Sequence, residues 1–266
     1  MAGCKRDFVR NPMNYEILSC EKGDALYPKR FAERKGLSER FYYKGDISFL
    51  NDFRSVAVIG SRNASKEAML WAYASGQYAA MEGYAVVNGL AVGCDTAALR
   101  GALSKGGRCV AVLPCGLDKI VPAVNDMLAV EILENGGCLI SEYEAGTEAE
   151  KYRFVQRDRL QSGLSEAVLV VYAGKEESRS DSSMSDLASK SDAAASRDRR
   201  DSGSLKTAEF ARKQGVKVLR YRDARQADEL LPFAETLPDP ESFRSFLNSY
   251  EPCEGELYEQ MRLPFL

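Results

Sequence analysis

From residue 55 onward, short apolar runs alternate with longer stretches of mixed character. The runs are SVAVIG (55–60), YAVVNG (84–89), RCVAVL (108–113), CLISEY (138–143), AVLVVYA (167–173) and VKVLRY (216–221). Most are continuous rather than alternating, which predicts strands covered on both faces. Between them, Ser65–Met81, Asp95–Lys105, Val124–Asn135 and Ser204–Gln214 carry helix-like patterning. Capping residues Ser65, Asp95 and Ser204 open these segments, and Gly83, Gly106, Gly136 and Gly215 close them. Regular alternation of strand and helix predicts an α/β fold: a doubly wound, mostly parallel sheet of extended Rossmann-like form.

The pattern changes at the flanks. Residues 1–50 are more polar and turn-rich and read as a small lead-in. Residues 51–222 form the Rossmann-like domain. Within it, 175–201 is almost devoid of large apolar residues and is expected to be a disordered insertion. The segment 223–266 reads as a short tail with one helix candidate, ESFRSFLNSY, and no winged helix is expected there.

Composition narrows the chemistry. The chain of 266 residues contains no histidine, which removes imidazole bases, Ser-His-Asp and Cys-His catalysis, and histidine metal ligation. Seven cysteines include no C-x-x-C pair, and several lie in apolar runs such as CVAVLPC. They read as reduced, buried thiols of a cytoplasmic protein, without a zinc site. No apolar run is long enough to span a bilayer, so no membrane partner is expected. A net charge of −3 argues against a surface coated with positive charge. It leaves room for a local basic groove, because charges act over only about 8–10 Å at physiological salt.

Three strand ends carry small residues where a helix follows: VAVIGSRNAS, VVNGLAVGCDTAALRGAL and AVLPCGLDKIVPAVN. In a parallel sheet these turns share the carboxyl edge, where ligands bind at the topological switch point. Glycine lets backbone approach a phosphate, and a helix N-terminus offers unpaired N–H groups. Each glycine equally well serves only a tight turn. Neither G-x-G-x-x-G nor a P-loop is present, so dinucleotide and P-loop nucleotide binding lack support and no cofactor is expected. Cations available to the edge are Arg62, Arg100, Arg108, Arg153, Arg157 and Arg159. The last three lie in KYRFVQRDRLQSGLS with Tyr152 and Phe154 interleaved, a composition that suits either single-strand stacking or a solvated helix.

These segments resemble the DprA/Smf family of DNA-processing proteins. YP and YYKGD, then VAVIGSR, GLAVGCDTAALRGAL, GGRCVAVLPCGLDKIVPAVN, LISEYEAGT, RFVQRDRLQSGLS and DSGSLKTAEFARKQGVKV follow in the family's order. The resemblance implies single-stranded DNA as ligand, delivery to a RecA-type recombinase, a homodimer, and no catalytic turnover. It implies a DNA pocket made from Gly60, Ser61, Arg62, Gly89, Gly93, Arg108, Asn125, Arg157, Arg159, Ser202, Gly203 and Ser204. The chain departs from the family at Val92, where a cation is usual, at Leu99, where histidine is usual, and at Asp158 between the two arginines. The alternative is a nucleotide-binding or nucleotide-hydrolysing protein of the phosphoribohydrolase-like group. SGSLKTAEF with Glu209 is its nearest approach to that group's glycine-rich signature.

Overall fold

The computed structural model describes residues 14–172, 202–222 and 231–251. The predicted insertion at 175–201 lies outside them. In chain order the elements are β1 (Leu18–Glu21), α1 (Lys29–Glu33), β2 (Arg40–Gly45), β3 (Arg54–Gly60), α2 (Lys66–Met81), β4 (Tyr84–Asn88) and α3 (Cys94–Leu103). They continue with β5 (Cys109–Val112), α4 (Asp126–Glu134), β6 (Cys138–Ser141), α5 (Lys151–Leu164), β7 (Ala167–Tyr172), α6 (Ser202–Lys213), β8 (Lys217–Tyr221), β9 (Glu235–Leu237) and α7 (Pro240–Ser249).

One nine-stranded sheet runs β1-β2-β6-β5-β4-β3-β7-β8-β9. Strands β3 to β9 are mutually parallel, while β2 joins β6, and β1 joins β2, in antiparallel pairing. The sheet is therefore doubly wound and Rossmann-like. The chain moves outward from β3 through β4, β5 and β6, then returns to start again at β7 on the other side of β3. That reversal puts the switch point at the carboxyl ends of β3 and β7. The 14–50 lead-in extends the same sheet with β1 and β2, and the tail adds β9 and the expected helix, α7.

Both faces are covered, which explains the continuous apolar runs. Val56, Val58, Val86, Ala111, Leu139 and Leu169 point toward α2, α3, α4 and α7. On the opposite face, Ala85, Val87, Val110, Val112 and Ile140 meet Phe31, Phe41, Leu160 and Leu164, while Ala57, Ile59, Val168 and Val170 meet α6. Helices α2 and α3 cross at backbone distance: a Cβ on Gly76 would stand 2.0 Å from the Ala98 carbonyl oxygen, and one on Gly101 2.0 Å from that of Tyr73.

The amino edge is clamped by ion pairs. The Glu166 carboxylate, buried just before β7, meets Arg30 at 2.5 Å and Arg54 at 2.8 Å, and Arg54 also donates to the Tyr250 carbonyl at 2.7 Å. Arg34 donates to the carbonyls of Ser162, Gly163 and Ser165 at the end of α5. Burial pulls the Arg34 guanidinium down to about 10, an environment sustained by these carbonyls. Among the described residues, no helix is long and apolar enough to cross a membrane.

Candidate nucleic-acid interface

The first glycine turn sits at the switch point. Gly60 has no room for a side chain, since a Cβ would stand 2.6 Å from the Cys94 Sγ and 3.1 Å from the Tyr172 carbonyl oxygen. Ser61 is buried. Its amide donates to the Tyr172 carbonyl at 2.9 Å, its carbonyl accepts from the Cys94 amide at 3.3 Å, and its hydroxyl accepts from the Asn63 amide at 3.1 Å. Gly93, at φ 84°, brings the second turn onto the first, where a Cβ would meet the Ser61 carbonyl oxygen at 2.5 Å. Gly60, Ser61 and Gly93 thus lock two turns together. Arg62 emerges from this base exposed, with its Cζ 5.2 Å from the centre of the Phe154 ring. No carboxylate among the described residues pairs with it.

The second turn is occupied from within. The Asp95 carboxyl accepts from the amides of Gly89 at 3.0 Å and Ala91 at 3.4 Å, so the groups that would cradle a phosphate already hold an oxygen. Asn88 donates to the Asp95 carbonyl and accepts from the Leu90 amide. Leu90 is held at φ 57°, a left-handed geometry that its side chain disfavours. Asn125 is buried and donates to the Leu90 carbonyl at 2.7 Å and to Thr96 Oγ1 at 3.0 Å. Its amide stitches the turn. At the third turn, a Cβ on Gly116 would meet the Glu144 carbonyl oxygen at 2.4 Å, because the loop after β6 folds across it.

Helix α5 divides its arginines by depth. Arg157 is only 4% exposed; its Nη1 donates to the Val112 carbonyl at 2.9 Å, and the guanidinium fills the space where a Cβ on Gly89 would stand. Gly89 is therefore a seat for Arg157. Asp158 is also buried, 3.3 Å from Arg157 Nε and accepting from Gln161 at 2.8 Å, so its charge is directed inward. Arg159 Nη2 donates to both carboxylate oxygens of Glu142, at 2.7 and 2.8 Å. Toward the N-terminus of α5, Arg153 lies against the rings of Tyr143 and Tyr152, 4.9 and 5.3 Å from their centres.

The remaining expected residues are dispersed. Arg108 precedes β5 and so lies on the amino edge, opposite the glycine turns, 3.4 Å from Asp46 and against Phe49 and Phe53. The parallel register sets Arg108 level with Ser55, two strands away and seven residues before Arg62, a separation of about 20 Å. Ser202, Gly203 and Ser204 open α6 after β7; the Ser204 hydroxyl is buried and has no hydrogen-bond partner among the described residues. Glu209, the acid of the hydrolase alternative, faces outward two turns into α6 and pairs with Lys206 at 2.9 Å. Nothing there resembles an acid aimed at the edge.

Sequence reasoning missed Asp95 as an internal anion, although an acid six residues after Gly89 at a helix start was a readable signal. It also left Tyr143 unnoticed, since that residue sits in a loop where periodicity carries no information. Among the described residues, no three metal-ligating side chains cluster. Burial pushes the Cys115 thiol up to about 11 and the Cys109 thiol higher still, so neither offers a thiolate.

A doubly wound sheet with Arg62 lying against Phe154 at its switch point defines a Rossmann-like α/β protein. More specifically, the chain belongs to the DNA recombination-mediator protein A family, whose model matches residues 19–183. It is 35% identical over 176 residues to DNA processing protein DprA of Streptococcus pneumoniae, covering 65% of this chain and 58% of that one. It is 32% identical over 151 residues to Protein Smf of Borreliella burgdorferi, covering 57% and 48% respectively. The chain thus spans about half the length of these curated relatives. The crystal structure of S. pneumoniae DprA superposes with a TM-score of 0.70 at 28% identity, over 89% of this chain and 75% of that one. Helicobacter pylori DprA, described for its single-stranded DNA binding mode, superposes at 0.69 with 26% identity, over 90% and 99%.

Proposed function

We propose that this chain binds single-stranded DNA at the carboxyl edge of its sheet, with Arg62 on the phosphate and Phe154 beside it against a base. The observation that carries this reading is Arg62 itself. It is exposed, lacks a carboxylate partner among the described residues, and is stacked on an aromatic ring at the switch point. A cation over an aromatic face serves both a backbone and a base. In this proposal Gly60, Ser61, Gly89, Gly93, Asn125 and Arg157 shape the edge, Arg159 steadies the loop after β6, and the opening of α6 at Ser202–Ser204 completes the rim. Delivery to a RecA-type recombinase, a homodimeric state and the absence of catalytic turnover extend the same reading. Family membership supports them, and co-purification with the recombinase and light scattering test the two assemblies.

The main test is oligo-dT binding measured across salt concentrations. Arg62→Ala is expected to weaken binding and reduce the magnitude of the log–log salt slope by about 0.7, the value for one phosphate contact on a single strand. Arg108→Ala, on the opposite edge, is expected to leave both unchanged. Equal effects of the two substitutions, or no binding at low salt, would reject the proposal.

A further inference from the structure

The group around Arg153 lies on the same helix as Phe154 but has a different character. Tyr152 is 51% exposed, and Arg153 lies against both it and Tyr143. The assembly is fixed in place. Arg153 Nε donates to the Tyr152 hydroxyl at 3.0 Å, its Nη1 to the Glu148 carbonyl at 2.5 Å, and Tyr143 donates to Gln156 one turn along at 2.7 Å. Holding a tyrosine this way lowers the entropy lost when something stacks on it.

The charge around this group differs from that around Arg62. Glu150 lies 3.3 Å from Arg153 and is 55% exposed, while Glu144 is exposed nearby and accepts from Tyr42. Glu144, Glu148 and Glu150 are balanced here by Lys119, Lys151 and Arg153, so the group has no net positive charge to draw a phosphate. A stacked ring in a neutral setting favours the face of a base over the charged backbone. Tyr152 stands two residues before Phe154 on α5, about 3 Å along the axis and roughly 200° around it, so one strand reaches both rings by crossing the first turn of the helix.

We infer that Tyr152, buttressed by Arg153 and Tyr143, is a second base-stacking station, so that the site takes a run of at least two nucleotides along the N-terminal half of α5. This inference rests on the single-strand reading of the Arg62 site. It adds a division of labour in which phosphate is held at Arg62 and a further base at Tyr152.

The test compares oligo-dT with an abasic strand of equal length, which has the same phosphates and no bases. Tyr152→Ala is expected to weaken oligo-dT binding about five- to a hundredfold, the range for one stacked base. Its salt slope should stay unchanged, as should its binding of the abasic strand, and Tyr152→Phe should bind as the parent does. If Tyr152→Ala leaves oligo-dT affinity intact while Arg62→Ala reduces it, the station is disproved and the Arg62 site stands. Loss of abasic-strand binding in Tyr152→Ala also overturns the inference, because it would reveal a backbone contact. If the parent protein binds neither strand, both readings fall together. Circular dichroism of Tyr152→Ala, with the ring half-exposed, should match the parent.

Discussion

Asp95 shows how one side chain can decide what a glycine turn does. The G-x-x-x-G spacing from Gly89 to Gly93 suggests a phosphate cradle, yet the carboxyl of Asp95 takes the amides of Gly89 and Ala91. Removing it leaves one buried and one part-buried donor unsatisfied, so Asp95→Ala is expected to cost about 2 kcal/mol of stability, read by chemical denaturation. A cost near zero would mean that water replaces the carboxyl. Buried arginines mislead in a related way. In a sequence, Arg157 looks like one more cation for a ligand, but its guanidinium is spent on the Val112 carbonyl and the seat at Gly89. Arg62 has the same residue type and the opposite fate. Only the tertiary arrangement separates them, except for Arg108: its place ahead of β5 already put it on the amino edge of any parallel sheet.

At the level of elements, legibility follows apolarity. Strands β3 to β8 were readable because both their faces are dry. Helices α2, α3, α4 and α6 were readable from their patterning and closing glycines to within two residues, but of the expected caps only Ser65 holds: Asp95 lies inside α3, behind Gly93, and Ser204 inside α6. Helix α5 was ambiguous for a physical reason. Its inward face mixes Leu160 and Leu164 with Arg157, Asp158, Gln161 and Ser162, all buried, so only a broken apolar period marks it. Strands β1 and β2 hid in a polar, aromatic lead-in, and β9 is three residues long. The α2–α3 crossing could not be read at all, since small residues signal close approach only once the partner is known. Ordinarily Gly→Ala inside a helix gains about 1 kcal/mol. At Gly76 the new Cβ would meet the Ala98 carbonyl oxygen at 2.0 Å, so Gly76→Ala is expected to destabilise by about 1–3 kcal/mol instead. The melting temperature relative to the parent protein decides the sign.

For the molecule as a whole, Glu166 ties distant parts of the chain together. Its carboxylate joins α1 through Arg30 to the start of β3 through Arg54, which also reaches Tyr250 beyond α7. Removing the acid would leave two guanidinium groups without their common partner. Glu166→Ala is therefore expected to cost about 3 kcal/mol, the low end for a buried pair because Arg54 is partly solvated. Glu166→Gln should cost less, and an unchanged denaturation midpoint in both would remove the clamp from the account. With one edge clamped by ions, the opposite edge must stay shaped while empty. Asp95 has a consequence here: it acts as a tethered competitor whose effective concentration at the Gly89–Ala91 amides no free anion in solution readily matches. Inorganic phosphate is thereby shut out of the second turn. On the single-strand reading, a polymer that presents several linked groups at once competes with Asp95 where its monomers do not.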